Sequence, residues 1–286
     1  MTAALPATAA FPARVLAPLG ARLVTVTSRT ELGPYVVLAG TDPAGPRPQA
    51  GQFYMLRAQT RWGGGESERP YLPRAFSVLR ATGSGSACEL ELEFLLEDVG
   101  PGTRRLAELA PEDRLSVVGP LGQGFAAPRA DRRALLVGGG VGIAPLVIWR
   151  DELGLDAPVL LGFRSAAHAA GAQLLREARV ATDDGSEGHH GLVTDLLADA
   201  LATGGQYEVY ACGPPPMLEA VRRLCTERDV PAQLALESGM ACGFGACFGC
   251  AVPTARGLIR LCLEGPVLDA QELGPEAFAV PGVGHR

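Results

Sequence analysis

The chain has 286 residues, 47% of them hydrophobic and 20% charged, the make-up of a globular protein with room for one large or two modest domains. A net charge of −6 excludes the broad basic surface that nucleic acid requires. The most apolar stretch, "ALLVGGGVGIAPLVIW", is broken by four glycines and a proline and is short for a membrane span, which needs roughly 20 apolar residues.

No charged start followed by an unbroken apolar core stands at the N-terminus, so no secretory signal is expected. We expect a soluble, cytoplasmic protein with no membrane or nucleic-acid partner. Seven cysteines, an odd number in a reducing compartment, then argue against a disulfide framework. All 25 basic residues are Arg, a bias that carries no functional reading.

Residues 1–20 are rich in Ala and Pro and are expected to be flexible. From 21 to 127 the signals are those of β structure. "ARLVTVTS", "PYVVLAG", "QFYMLRA", "AFSVLR", "CELELEFLL" and "RLSVVGPLG" are short runs of β-formers set off by Gly and Pro. In the fifth, Cys88, Leu90, Leu92 and Phe94 alternate with Glu89, Glu91 and Glu93, which gives one buried and one wet face. Six such strands predict a small barrel or sandwich.

From 128 to 236 the pattern changes. Buried strands "ALLVGG", "APVLLGFR", "YEVYACG" and "PAQLALE" alternate with helical segments such as "PLVIWRDEL", "LVTDLLADAL" and "PPMLEAVRRLCTE". That alternation predicts a parallel sheet with helices on its faces. Residues 237–286 form a cysteine-bearing segment and a tail, read as a C-terminal appendix.

The strongest chemical signal is in that appendix. "ESGMACGFGACFGC" carries Cys242, Cys247 and Cys250, and "LIRLCLEGP" adds Cys262, giving C-x4-C-x2-C-x11-C. This is the plant-type [2Fe–2S] spacing. Gly243, Gly245, Ala246 and Gly249 let the backbone wrap tightly and aim N–H groups at sulfur. Zinc is the main competitor, although structural zinc sites usually use paired short knuckles. Cys88 and Cys225 read as core residues. Cys212 ends a buried strand where α/β sheets bind ligands; its readings are a small buried residue or a cofactor contact.

"LLVGGGVGIAPL" is a glycine-rich turn between a strand and a helix. Gly138, Gly139, Gly140 and Gly142 permit close approach of a pyrophosphate, with tight strand–helix packing as the alternative. It departs from G-x-G-x-x-G at Ile143. The next strand ends "GFRS" with no acid placed for a ribose; Arg164 there either meets a 2′-phosphate or faces water, so NAD and NADP both stay open.

In the barrel, Arg74 of "LPRAFSV" reads either as a phosphate grip or as an ordinary surface residue before a strand, and Ser77 as a hydrogen-bond partner for a ring edge. Gly102 and Thr103 of "GPGTRRLAEL" open a helix and offer a second phosphate seat, or a routine capped helix. His189 and His190 sit in a polar turn and read as solvated. Spacing supports no Ser-His-Asp or paired-carboxylate arrangement.

In order, these motifs are an R-x-F/Y-S/T barrel motif, a G-T helix start, "GPLGQGF", "GGGVGIAPL", "CGPPPML" and a four-cysteine cluster. The order resembles the ferredoxin reductase superfamily. More narrowly, "TDDGSEGHHG" and "MACGFGACFGC" with a later C-x-E-G-P resemble the electron-transfer subunits of NAD-dependent dihydroorotate dehydrogenases, over about residues 20–268. The resemblance implies three parts. They are an FAD-binding antiparallel β-barrel, a nucleotide-binding doubly wound parallel sheet, and a C-terminal [2Fe–2S] segment.

It also implies flavin contacts at Arg74, Ala75, Phe76, Ser77, Leu95, Leu96, Glu97, Gly102 and Thr103. Nucleotide contacts fall at Gly139, Gly140, Gly142, Cys212 and Gly213, and cluster ligands at Cys242, Cys247, Cys250 and Cys262. Two residues depart from the pattern: Phe76 stands where relatives often have Tyr, and Glu97 where they often have Arg.

The implied partner is an FMN-containing dihydroorotate dehydrogenase catalytic subunit in a heterotetramer, with NAD as acceptor. The resemblance puts no dihydroorotate site and no acid or base residue on this chain. A related subunit serving a ferredoxin–NADP reductase or a hydrogenase is the alternative enzyme. A non-redox, zinc-stabilised docking module is the alternative from another class.

Overall fold

A computed structural model of the chain describes residues 20–63, 70–83, 90–154 and 157–279. Cys88, the middle of the 61–71 loop, residues 1–19 and residues 280–286 lie outside the described residues.

Six strands form a closed barrel in the order β1-β2-β5-β4-β3-β6. They are β1 (Arg22–Leu32), β2 (Tyr35–Asp42), β3 (Phe53–Ala58), β4 (Arg74–Thr82), β5 (Leu90–Glu97) and β6 (Arg114–Leu121). Every neighbouring pair is antiparallel. Closure removes the exposed edges that strands this short would otherwise leave. In β5, Leu90, Leu92 and Phe94 are buried and Glu91 and Glu93 are half-exposed, as the alternation predicts. One short helix, α1 (Pro101–Ala107), follows β5.

The chain then winds a sheet in the order β10-β9-β8-β7-β11-β12-β15. It begins at β7 (Arg133–Gly139), passes through helix α2 (Ala144–Leu153) to β8 (Val159–Phe163), then through α3 (Ala166–Ala169) to β9 (Arg179–Thr182) and β10 (His189–His190). After α4 (Val193–Ala202) it returns to the other side of β7 as β11 (Tyr207–Cys212), α5 (Pro215–Glu227) and β12 (Ala232–Ala235). The order reverses between β7 and β11, which makes the sheet doubly wound and puts a ligand crevice at their carboxyl ends. β7 is buried from Ala134 to Gly139, as expected of a central parallel strand covered on both faces. Helix α5 buries Leu218, Val221 and Cys225, a single stripe at helical spacing.

Two features differ from the sequence reading. The C-terminal segment is not an appendix. After the hairpin β13 (Ala251–Thr254) and β14 (Gly257–Arg260), it adds β15 (Val267–Asp269) antiparallel to β12 at the sheet edge. Three residues carry too little periodicity to announce a strand, and pairing with β12 decides it. His189 and His190, read as a turn, form a two-residue parallel bridge to β9 and remain exposed.

Barrel and sheet share one apolar core. Phe125, Trp149 of α2 and Tyr210 of β11 meet at centroid distances of 5.5–5.8 Å. Arg80 of β4 pairs with Asp151 of α2 at 3.0 Å across the seam. The crevice is therefore fixed between two bodies packed against each other.

Candidate functional site

The four predicted thiols come together beside the barrel. The loop seats there because Gly243 has φ +77°, and a Cβ on it would meet Met55 Cγ at 2.5 Å and Leu121 Cδ1 at 3.0 Å. Only glycine accepts both that backbone and that contact. Arg260 clamps the loop from the hairpin: it donates to the Gly245 carbonyl at 3.1 Å, pairs with Glu264 at 3.3 Å, and lies 4.9 Å over the Phe248 ring.

Cys250 and Cys262 are buried with their sulfurs 3.2 Å apart, whereas Cys242 is half-buried and Cys247 exposed. Burial pushes the Cys242 thiol up. Backbone N–H groups of Cys247, Phe244 and Ala246, together with the Cys247 side chain, outweigh it and bring the thiol down to about 7. Burial, then the neighbouring Cys250, pushes Cys262 up to about 12, against an opposing N–H from Gly245. Among the described residues no three or more His, Cys, Asp or Glu side chains stand close enough together to hold a metal ion. The thiols lie instead as two pairs, Cys242 with Cys247 and Cys250 with Cys262. Two pairs ringed by backbone N–H groups fit a dinuclear iron–sulfur centre better than one tetrahedral zinc.

Next to this loop a cleft of about 220 Å³ opens between barrel and sheet. Arg74, Ala75, Phe76 and Ser77 of β4, Leu95 of β5 and Thr103 of α1 form its barrel wall. Val141, Gly142 and Ala144 of the glycine turn face them, and Leu236, Glu237, Ser238 and Met240 close the end toward the cysteines. Arg74 is partly withdrawn from water, which lowers its pKa. Its guanidinium donates to the Leu72 carbonyl at 2.6 Å and lies against Gly102, and no carboxylate among the described residues pairs with it. A half-buried, uncompensated guanidinium fits the phosphate of a flavin nucleotide.

The glycine turn meets β11 where the sheet order reverses. A Cβ on Gly142 would stand 2.7 Å from Gly213 Cα, so only glycine lets the two loops approach. Gly139 and Gly213 both lie against Met217, and Gly140 is open to solvent at φ +54°. The adjoining Cys212 is buried; burial, then Glu237, raises its thiol well above the ordinary range. Cys225 is raised to about 12 by burial in α5. A thiol reagent at mildly alkaline pH should therefore leave Cys212 and Cys225 unmodified until the protein is denatured; labelling of either in the folded state, read by mass spectrometry, would contradict that placement.

Relatives with known roles share this architecture and its end segment. Residues 237–274 match the family model described as the iron–sulfur cluster binding domain of dihydroorotate dehydrogenase B. The chain is 35% identical over 227 residues to the dihydroorotate dehydrogenase B (NAD(+)) electron transfer subunit of Clostridium acetobutylicum, covering 78% of this chain and 85% of that one. To the Geobacillus kaustophilus counterpart it is 38% identical over 238 residues, covering 79% and 86%. This chain belongs to the dihydroorotate dehydrogenase B electron transfer subunit family.

The fold likeness is wider. A structure of NADH-dependent reduced ferredoxin-NADP oxidoreductase, described for flavin-based electron bifurcation, superposes with a TM-score of 0.74 at 24% identity, covering 92% of this chain and 93% of that one. A ferredoxin NADP+ reductase of Neisseria gonorrhoeae with bound FAD and NADP gives 0.57 at 19% identity, covering 73% and 91%.

Within this family member, the cleft gathers only some of the residues expected from sequence. Leu96, Glu97, Gly102, Gly139, Gly140, Cys212 and Gly213 stand around it and not in its wall. Thr103 lines it, but its hydroxyl is taken up in capping α1: it accepts from the N–H groups of Val99 at 2.9 Å and Gly100 at 3.0 Å. Arg164 faces water at 64% side-chain exposure and pairs with Glu97 at 2.8 Å.

Glu237 was missed. It lines the end wall of the cleft just past the end of β12, as an exposed residue. One signal was available: it is the acid directly after a buried parallel strand, at the carboxyl end where such sheets present ligands.

Proposed function

We propose that this chain carries electrons between a dihydroorotate-oxidising catalytic subunit and NAD⁺, taking them up at the four cysteines and delivering them across the cleft. One observation carries the reading: Leu236–Met240 forms the end wall of the cleft and runs directly into Cys242. The thiols and the cleft are thus two ends of one short segment.

Cys242, Cys247, Cys250 and Cys262 would hold a [2Fe–2S] centre, and Arg74, Phe76 and Ser77 would hold FAD. The iron–sulfur group supplies one-electron transfer, and the flavin converts single electrons into the hydride that nicotinamide accepts. The residues of the chain do the positioning. Arg74 fixes the phosphate end, Phe76 offers an aromatic face, and Ser77 reaches a ring edge. The Gly142–Gly213 contact leaves room for a dinucleotide at the sheet's reversal point. Residues 21–127, 128–236 and 237–286 are accordingly the flavin, nucleotide and cluster parts.

The partner is an FMN-containing catalytic subunit, joined in a heterotetramer. Exposed Phe244 and Phe248 beside Cys247, with Leu258 on the hairpin, support docking on the cysteine face. No described helix is long and apolar enough to cross a membrane, and a reducing cytoplasm would keep the free thiols available for iron. Co-expression with the catalytic subunit tests the whole reading. The holo-complex should reduce NAD⁺ with dihydroorotate, and a cofactor-replete complex that does not would overturn it.

A further inference from the structure

We propose that Glu97, a barrel residue, sets the coenzyme choice of the α/β sheet, favouring a nicotinamide dinucleotide with free ribose hydroxyls over one with a 2′-phosphate. The inference rests on the reading that the sheet takes such a dinucleotide.

In doubly wound sheets the strand next to the glycine turn ends near the adenosine ribose, where an acid favours free hydroxyls and an Arg favours a 2′-phosphate. Here that strand is β8, and Arg164 follows its last residue. Taken alone, this end is built for phosphate.

The barrel changes that. Glu97, the last residue of β5, reaches across the seam and accepts from Arg164 Nη2 at 2.8 Å. The same nitrogen lies 2.9 Å from His168 Nε2, and His168 Nδ1 lies 3.1 Å from Ser165 Oγ. His168 Nε2 also lies 3.6 Å from the Glu97 carboxylate. Glu97 and Arg164 set one anion against one cation, with carboxylate lone pairs beside the strand end.

It is also a built arrangement. Glu97 is the sheltered member at 18% side-chain exposure, against 64% for Arg164. Tyr35, its register partner on β2, packs edge-on to His168 at 6.1 Å. Leu95, two residues back on the same face of β5, lines the cleft. The carboxylate therefore stands beside the space a dinucleotide would occupy. It neutralises Arg164, repels a phosphate dianion and can accept from a ribose hydroxyl. The α/β sheet lacks its own acid at this position, and the barrel supplies one.

The test is steady-state oxidation of NADH and of NADPH by the flavin-loaded full chain, with ferricyanide as acceptor. Wild type should prefer NADH. Glu97→Gln keeps the shape and removes the charge, and should raise the NADPH-to-NADH ratio of kcat/KM by about tenfold, mainly through the KM for NADPH. The Glu97→Gln/Arg164→Ala double variant should lose that gain, because the freed guanidinium is what takes the phosphate. Flavin content and melting temperature establish that each variant is folded, and Glu97→Ala is read the same way if the Gln variant is not.

A ratio that stays within about twofold of wild type, or a double variant that keeps the gain, overturns the proposal. So does a wild type that prefers NADPH. A wild type that oxidises neither coenzyme overturns the nicotinamide reading itself, a separate failure from the selectivity one.

Discussion

In a Cys247→Ser chain assembled with its catalytic subunit, dihydroorotate-driven reduction of NAD⁺ falls at least about a hundredfold, while NADH oxidation with ferricyanide stays within about threefold of wild type. The split follows from placement. Cys247 is the exposed member of the four thiols, so its loss removes no core packing. What it removes is one of four ligands at the uptake end. The Arg74–Gly102 contact on the barrel wall involves none of the four cysteines. Cys262 is a poorer test, since it is buried against Cys250 and its replacement confounds ligation with folding. Equal loss of both activities in Cys247→Ser would contradict separate uptake and delivery ends.

Arg74→Ala is the complementary experiment. Its guanidinium is half-buried and meets only the Leu72 carbonyl and the surface over Gly102 among its described neighbours. A charge-assisted pair with a phosphate contributes about 1.5–3 kcal/mol, so truncation should weaken flavin binding roughly ten- to a hundredfold. The fold should be unharmed, because the side chain leaves behind no unpaired carboxylate. Flavin absorbance per chain, measured before and after dialysis, reads the effect. Full retention of tightly bound flavin in the variant would remove Arg74 from the phosphate site.

Local pattern made much of this molecule legible. The six barrel strands follow from short runs of β-formers between Gly and Pro, and the central strands β7, β8 and β11 from continuous apolar runs. The cysteine spacing names its chemistry because four ligands at fixed intervals are improbable for any other reason. What sequence hides is whatever pairs across long separations. β15 is three residues whose identity as a strand is decided by β12. Glu237 is an unremarkable acid until the fold sets it in the cleft's end wall. Glu97 and Arg164 each read as flavin or phosphate contacts on their own. They lie 67 positions apart in sequence, and the packing of barrel on sheet makes them an ion pair instead. The Thr103 hydroxyl, read as a phosphate seat or a routine cap, is spent on the cap.

The central claim is that the cleft and the cysteines form one contiguous electron route within this chain. Anaerobic mixing of the purified holo-chain with NADH, without its partner, followed by absorption and by EPR of freeze-quenched samples, tests it most directly. Bleaching of the flavin bands should be followed by the rhombic signal of a reduced [2Fe–2S] centre. A flavin that bleaches fully while the centre stays oxidised and EPR-silent would contradict the route.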